Sequence, residues 1–306
     1  LPNSITEIGA SAFLGASGIS GTITIPSSVT TLGEYAFSGC SNLSGLSIEA
    51  SLDTIPTGLC YNCTKLNGTL SFPESVKFIN NSAFYNCQEI DSIHFPSSLN
   101  QIGEWAFYNN RSVKTLSLPH NISVNQSAFN NCVLLQTLNL EGYTSLYNYS
   151  FASCTALSTI NSHSATPPYF TSNTFSGVNT STCIVNIPAG KTATYRNYNT
   201  WNTFTNIVEF DNGVNPTLVN SYPTQNQLNI SIHNDLKLYF NESITVKKAA
   251  TLIDNATSQV VATLSNTNFV TQEANLIYEL EGVLTNSKSY SIVFPQGFVE
   301  DNKNNP

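Results

Sequence analysis

Charge is what this chain has least of. Its 306 residues include 11 basic and 19 acidic side chains, 10% in all, against roughly 25% in an ordinary soluble domain. Residues 1–208 hold 9 acids and 6 bases, net −3, and residues 209–306 hold 10 acids and 5 bases, net −5. Neither part has a basic stripe, which argues against nucleic-acid binding and against attachment to anionic lipid. No stretch reaches the ~18 consecutive apolar residues of a membrane-spanning helix. The four histidines, His94, His120, His163 and His233, lack the H-x-x-x-H and H-E-x-x-H spacings of a zinc-protease site. No G-x-S-x-G elbow, P-loop or G-x-G-x-x-G follows a strand-like run. Carboxylates such as Glu34, Glu74, Glu89 and Glu104 fall in loops without pairing. An enzyme is therefore not expected, and no cofactor or metal is expected either. The seven cysteines are an odd count, which argues against a complete disulfide framework. What remains is a surface of Ser, Thr and Asn over an apolar content of 41%, too high for a wholly disordered chain.

The apolar residues recur at a fixed period. Phe13, Phe37, Cys60 (in place of Phe), Phe84, Phe107, Phe129, Phe151 and Phe175 are separated by 24, 23, 24, 23, 22, 22 and 24 residues. A period of 20 to 29 residues in an apolar frame is the signature of a leucine-rich solenoid. Each coil opens with a short alternating run and then, usually, proline: Ile23-Thr24-Ile25-Pro26, Leu70-Ser71-Phe72-Pro73, Ile93-His94-Phe95-Pro96, Leu116-Ser117-Leu118-Pro119 and Val185-Asn186-Ile187-Pro188. The alternation predicts a very short strand with two apolar side chains inward, and proline ends it because it cannot donate to the ladder. Next come a predicted turn (Leu32-Gly33, Ile55-Pro56, Ile102-Gly103) and the aromatic segment. Such coils bury their faces only against their neighbours and stack their strands in parallel.

Three residues after the aromatic, Cys40, Cys63, Cys87, Cys132 and Cys154 share one slot, which Asn110 fills in another coil. A column of buried free thiols acting as small hydrophobes accounts for this, and Asn can take the same place by bonding loop backbone. Cys60-Tyr61-Asn62-Cys63 matches the C-x-x-C redox motif, but the repeat already explains both cysteines.

The frame P-x-S-[VL]-x-x-[IL]-G-x-x-A-F-x-x-C-x-x-[LI] is nearly complete at Pro26–Leu43, and again at Pro96–Val113 with Asn110 in the Cys slot. It resembles the BspA-like, or Treponema-type, leucine-rich repeat. The segment Ile187-Pro188-Ala189-Gly190-Lys191, followed by Tyr195, Trp201 and Phe204–Glu209, is similar to the terminal cap of Bacteroides members. The resemblance implies a surface-exposed or secreted protein, since several members are adhesins for host proteins or other bacteria.

After Glu209 the repeat stops, and Asp211–Pro216 reads as a turn-rich linker. Alternating runs at 236–240, 260–264, 276–280 and 290–294 then predict an all-β sandwich. The pattern of Tyr222-Pro223, Leu236–Glu242, Tyr290–Phe294 and Asp301 with Asn304 resembles bacterial Ig-like domains of the S-layer type, which usually carry one strand more. Asp301, with Glu300 and Asn304, could bind calcium, although acids in a terminal turn are more often solvated. Two domains are expected, a repeat solenoid with short parallel strands, loops and short helical turns over 1–209 and an Ig-like sandwich over 210–306. Leu1 falls inside a repeat and methionine is absent, so the N-terminus is expected to be a cut or processed end whose signal or anchor lies elsewhere.

Two surfaces stand out as candidate ligand contacts. Strand alternation turns a Thr/Ser/Asn ladder outward on the concave sheet, including Thr69, Ser71, His94, Ser117 and Asn139. Tyr61, Tyr85 and Tyr108 directly follow the aromatic slot in successive coils, with Trp105 beside them. One coil step places their rings about 5 Å apart, so they should stack. Each surface also has a purely structural account, as exposed strand Thr or as a brace over the coil. The function expected is that of an extracellular or cell-surface binding protein, monomeric and adhesin-like, whose partner is a host or bacterial surface protein. A glycan-binding accessory or a structural surface-layer component are the alternatives.

Overall fold

The computed structural model describes residues 1–198, 200–210, 218–222, 236–240, 244–246, 248–264, 269–272, 275–278, 290–294 and 299–301. The chain forms two compact units, Leu1–Asn186 with Thr192–Val208, and Ile187–Lys191 with Glu209–Pro306.

In the first unit every coil contributes its alternating run as a parallel strand. Gly21–Ile25 pairs with Leu43–Ile48, Asn67–Ser71 with Glu89–His94, and Thr115–Leu118, Thr137–Leu140, Thr159–Ser162 and Ile184–Ile187 stand side by side with Asn206–Glu209 at the edge. The segments expected to be turns are a second parallel ladder. Two- and three-residue strands at Thr54–Ile55, Phe78–Ile79, Gln101–Ile102, Ile122–Val124, Thr144–Leu146 and Tyr169–Phe170 form one six-stranded sheet. The glycine after this strand serves close approach between coils rather than a turn. A Cβ on Gly33 would lie 2.2 Å from the Ala10 nitrogen, and one on Gly103 would lie 2.7 Å from the Asn80 carbonyl carbon.

A third ladder runs through the aromatic slot. The amides two before the slot, at it and two after it bond to carbonyls of the following coil: Tyr35 N to Thr57 O, Phe37 N to Leu59 O and Gly39 N to Tyr61 O. The two flanking positions take positive φ in coil after coil, from Ser11 and Gly15 through Trp105 and Asn109 to Tyr149 and Ser153. Gly and Asn, the residues that tolerate left-handed backbone best, dominate the second of these positions.

The core is the aromatic column. Phe84–Phe107, Phe107–Phe129 and Phe129–Phe151 stack at 5.4, 5.2 and 5.2 Å, within 9° of parallel. Tyr195, Trp201 and Phe204 close its end. The Tyr195 hydroxyl donates to Ser164 O at 2.6 Å, and Trp201 Nε1 donates to Pro168 O at 2.8 Å. One coil departs from the pattern, with Leu59-Cys60 where the others carry Ala, Ser or Thr followed by Phe. Leu59 and Cys60 are both fully buried, so the bulk has moved one residue back along the chain. Cys60→Phe alone should overpack the coil, lowering stability by about 1–3 kcal/mol, and Leu59→Ala alone should open a cavity worth about 2–5 kcal/mol. Denaturant titration should show the double variant losing less than the two single losses combined. Simple addition would mean that the two sites do not compensate one another.

The second unit is antiparallel. One sheet orders Leu218–Tyr222, Leu236–Phe240, Asn275–Tyr278 and Phe269–Gln272, and another orders Gln259–Leu264, Ala250–Asp254 and Tyr290–Val293. Two antiparallel sheets are the layout of an Ig-like sandwich. Glu300 and Asp301, expected in a terminal turn, lie in a strand, Val299–Asp301, that pairs with Ile244–Val246. Asn304, Pro223 and the linker 211–216 lie outside the described residues.

Candidate functional site

The expected tyrosine stack is present. Tyr61 and Tyr85 lie 4.7 Å apart at 10°, and Tyr85 and Tyr108 lie 4.9 Å apart at 8°. All three are part-exposed, with their faces turned to one another and their edges outward. Burial, and then its neighbours Tyr61 and Tyr108, push the Tyr85 phenol up. Sequence reasoning missed the row beside it. Asn86 Nδ2 donates to Asn62 Oδ1 at 2.9 Å, Asn109 bonds Asn86 at 2.5 Å, and Asn131 bonds Asn109 at 2.6 Å. Repetition of Asn two residues after the aromatic was the signal available for it. Arg111 Nε donates to Asn109 Oδ1 and Gln88 Nε2 to Asn86 Oδ1, extending the row outward.

Trp105 is 38% exposed and sits at φ 54°, where the two preceding coils hold Gly58 and Ser82. A bulky residue in left-handed backbone is strained by about 1–3 kcal/mol. Its carbonyl accepts the Tyr108 amide at 3.1 Å, so tryptophan and tyrosine stand on one turn. At the same position in an earlier coil, the Tyr35 ring lies over Gly58, where a Cβ would come within 2.2 Å of Tyr35 Cε1.

The polar ladder differs from its expectation. Thr69 is exposed, and Ser71, His94 and Ser117 are part-buried, but Asn139 is 97% buried, because Asn161 Nδ2 donates to its Oδ1 at 2.7 Å while its own Nδ2 donates to Ser117 Oγ at 2.9 Å. Asn186 extends the row to Asn161, and Thr69 Oγ1 shares a 2.8 Å hydrogen bond with Ser92 Oγ. These bonds tie Thr69, Ser117 and Asn139 to neighbouring coils, so Asn139 is withdrawn from the candidate contacts and part of the hydrogen-bonding capacity of Thr69 and Ser117 is already used.

All seven cysteines are buried and free. In the column each thiol donates to the slot carbonyl of the preceding coil: Cys40 to Phe13 O, Cys63 to Phe37 O, Cys87 to Cys60 O, Cys132 to Phe107 O and Cys154 to Phe129 O, at 3.0–3.5 Å. Asn110 Nδ2 reaches Phe84 O at 2.8 Å in the same way. Burial pushes Cys87 and Cys154 well up, and Cys183 up to about 12. The hydrogen bond between Cys60 and Cys63 raises the first and lowers the second, and burial raises both. Thiols buried away from solvent react slowly. Ellman titration of the native protein should therefore find the seven thiols slow, and titration in guanidinium should find all of them fast. Rapid native labelling of several would contradict the packed column.

Among the described residues, no group of three or more His, Cys, Asp or Glu side chains could hold a metal ion. No helix among them is long and apolar enough to cross a membrane.

Parallel ladders stacked every 22–24 residues around an aromatic column define a leucine-rich-repeat solenoid carrying an Ig-like module. The model of the BspA type leucine rich repeat region matches six copies over residues 1–70 and 67–182, and the chain belongs to that family. The bacterial Ig-like domain matches residues 212–306. Among solved structures, a leucine-rich repeat protein of T. pallidum is 26% identical, with 52% of this chain and 66% of that one covered at a TM-score of 0.38. One from Bacteroides ovatus is 21% identical over 69% of this chain and 77% of the other, with a TM-score of 0.37. A leucine-rich cell surface protein from Faecalibacterium prausnitzii is 16% identical over 69% and 78%, with a TM-score of 0.42. The chain thus spans just under two thirds of the T. pallidum chain's length. No curated protein matches.

Proposed function

We propose that this is an adhesin-like binding protein, exported to the cell surface or beyond, whose solenoid over 1–209 recognises a protein on a host or bacterial surface. The Ig-like part, 210–306, is a spacer or second contact. One observation carries the reading: the Tyr61–Tyr85–Tyr108 stack, with strained, 38%-exposed Trp105 on the same turn. Stacking fixes the rings before a partner arrives, so little conformational entropy is lost on binding. Tyr and Trp are also the residues that most often dominate interface energy. The polar ladder competes less well at Thr69, Ser117 and Asn139, whose hydroxyls and amides already bond within the ladder. Surface location rests on the family resemblance. Its test is a panel of immobilised matrix proteins and whole bacterial cells run beside a glycan array. Saturable binding to a panel protein supports the reading, and binding to neither panel favours a structural surface-layer role.

A further inference from the structure

A second aromatic surface, untouched by the reading above, lies on the short-strand ladder two coils beyond that of Tyr108. Along Thr144–Leu146 the burial alternates, so Tyr143, Ser145 and Tyr147 face outward while Thr144 and Leu146 face the core. In register, Ser145 sits opposite Ser123 in the preceding coil and opposite Tyr169 in the following one. Two part-exposed serines thus form a floor. Tyr143, Tyr147 and Tyr169, which are 37%, 42% and 38% exposed, rise on three sides of it. Asn121 is exposed beside Tyr143, whose carbonyl accepts its amide at 2.8 Å. Four residues of strand put Tyr143 and Tyr147 about 13 Å apart, a span that takes one or two pyranose rings.

The two tyrosine surfaces differ in what their rings can offer. In the Tyr61–Tyr85–Tyr108 stack both faces of Tyr85, and the inner faces of Tyr61 and Tyr108, are covered by a neighbouring ring. Tyr147 and Tyr169 instead meet edge to face, 6.1 Å apart at 62°, so the pair does not close its faces in a parallel stack. A ring face is electron-rich and attracts polarised C–H groups such as those on one side of a sugar ring. Serine hydroxyls and an exposed asparagine amide beside such faces supply donors and acceptors for sugar hydroxyls. None of these six side chains carries a charge, so the surface offers nothing to pair with a uronate or sialate.

We propose that Tyr143, Tyr147 and Tyr169 over Ser145 and Ser123 form a subsite for a neutral pyranose oligosaccharide. The test titrates the whole chain with maltotriose, cellotriose, mannotriose and chitotriose, and with trigalacturonate as the acidic comparison, followed by saturation-transfer NMR. At least one neutral trisaccharide should bind, and trigalacturonate should not. Tyr143→Ala, which removes a wall, and Ser145→Trp, which fills the floor, should each weaken that affinity about tenfold or more, with thermal midpoints near the parent's. Tyr85→Ala should leave it unchanged, which separates this subsite from the protein-recognition surface. Binding by none of the neutral sugars, equal binding of trigalacturonate, or parental affinity in both folded variants would overturn the assignment.

Discussion

Phe107→Ala should lower the stability of the solenoid by about 3–5 kcal/mol, the range for emptying a buried phenylalanine site. The ring is fully buried, stacked between Phe84 and Phe129 and met edge-on by Phe95 at 5.6 Å. Its removal takes out two stacked contacts as well as buried area, each worth about 0.5–1.5 kcal/mol beyond burial. Repeats are stabilised through their neighbours, so the loss also weakens the coupling between the coils on either side. Urea denaturation should show a lower midpoint and, if the coils uncouple, a broader transition. An unchanged midpoint would mean that the column is not the core.

The column was legible because eight occurrences of one slot at a nearly constant spacing leave a single frame open. The same count exposed the cysteine slot, and Asn110 revealed what that slot demands, a donor aimed at the preceding coil's carbonyl. The second ladder was not legible. A two-residue strand such as Gln101–Ile102 has no period to detect, and the glycine after it looks like turn punctuation when it marks contact with Asn80. Asn139 was misplaced because alternation gives the direction of a side chain but not whether its neighbours cover it. Tyr143, Tyr147 and Tyr169 went unnoticed because they gather only once the short strands are in register.

Acid should also weaken the fold, through His163. This side chain is buried, only 2% exposed, and burial lowers its pKa from 6.5 to about 4. In the unfolded chain the imidazole takes up a proton near pH 6.5, whereas in the folded chain it stays neutral until about pH 4. The unfolded state therefore binds more protons between those values, and stability falls as pH drops through that window. Above pH 6.5 the contribution is complete, and by pH 4 about 3 kcal/mol is lost. Part-buried His120 shifts in the same direction for the same reason. Chemical denaturation from pH 7.5 to 4 should show a steeper decline in the parent than in His163→Leu. Equal slopes would show that His163 is solvated in the folded state.

The central claim is that recognition runs through the rigid aromatic edge rather than the hydroxyl ladder. For a protein that the parent binds in the surface panel, affinity is measured by surface plasmon resonance for Tyr85→Ala, Trp105→Ala and Ser71→Ala, each first shown to be folded. The aromatic variants should lose about 2 kcal/mol or more, while Ser71→Ala stays within a few tenths of the parent. Parental affinity in both folded aromatic variants, or a larger loss in Ser71→Ala, would contradict it.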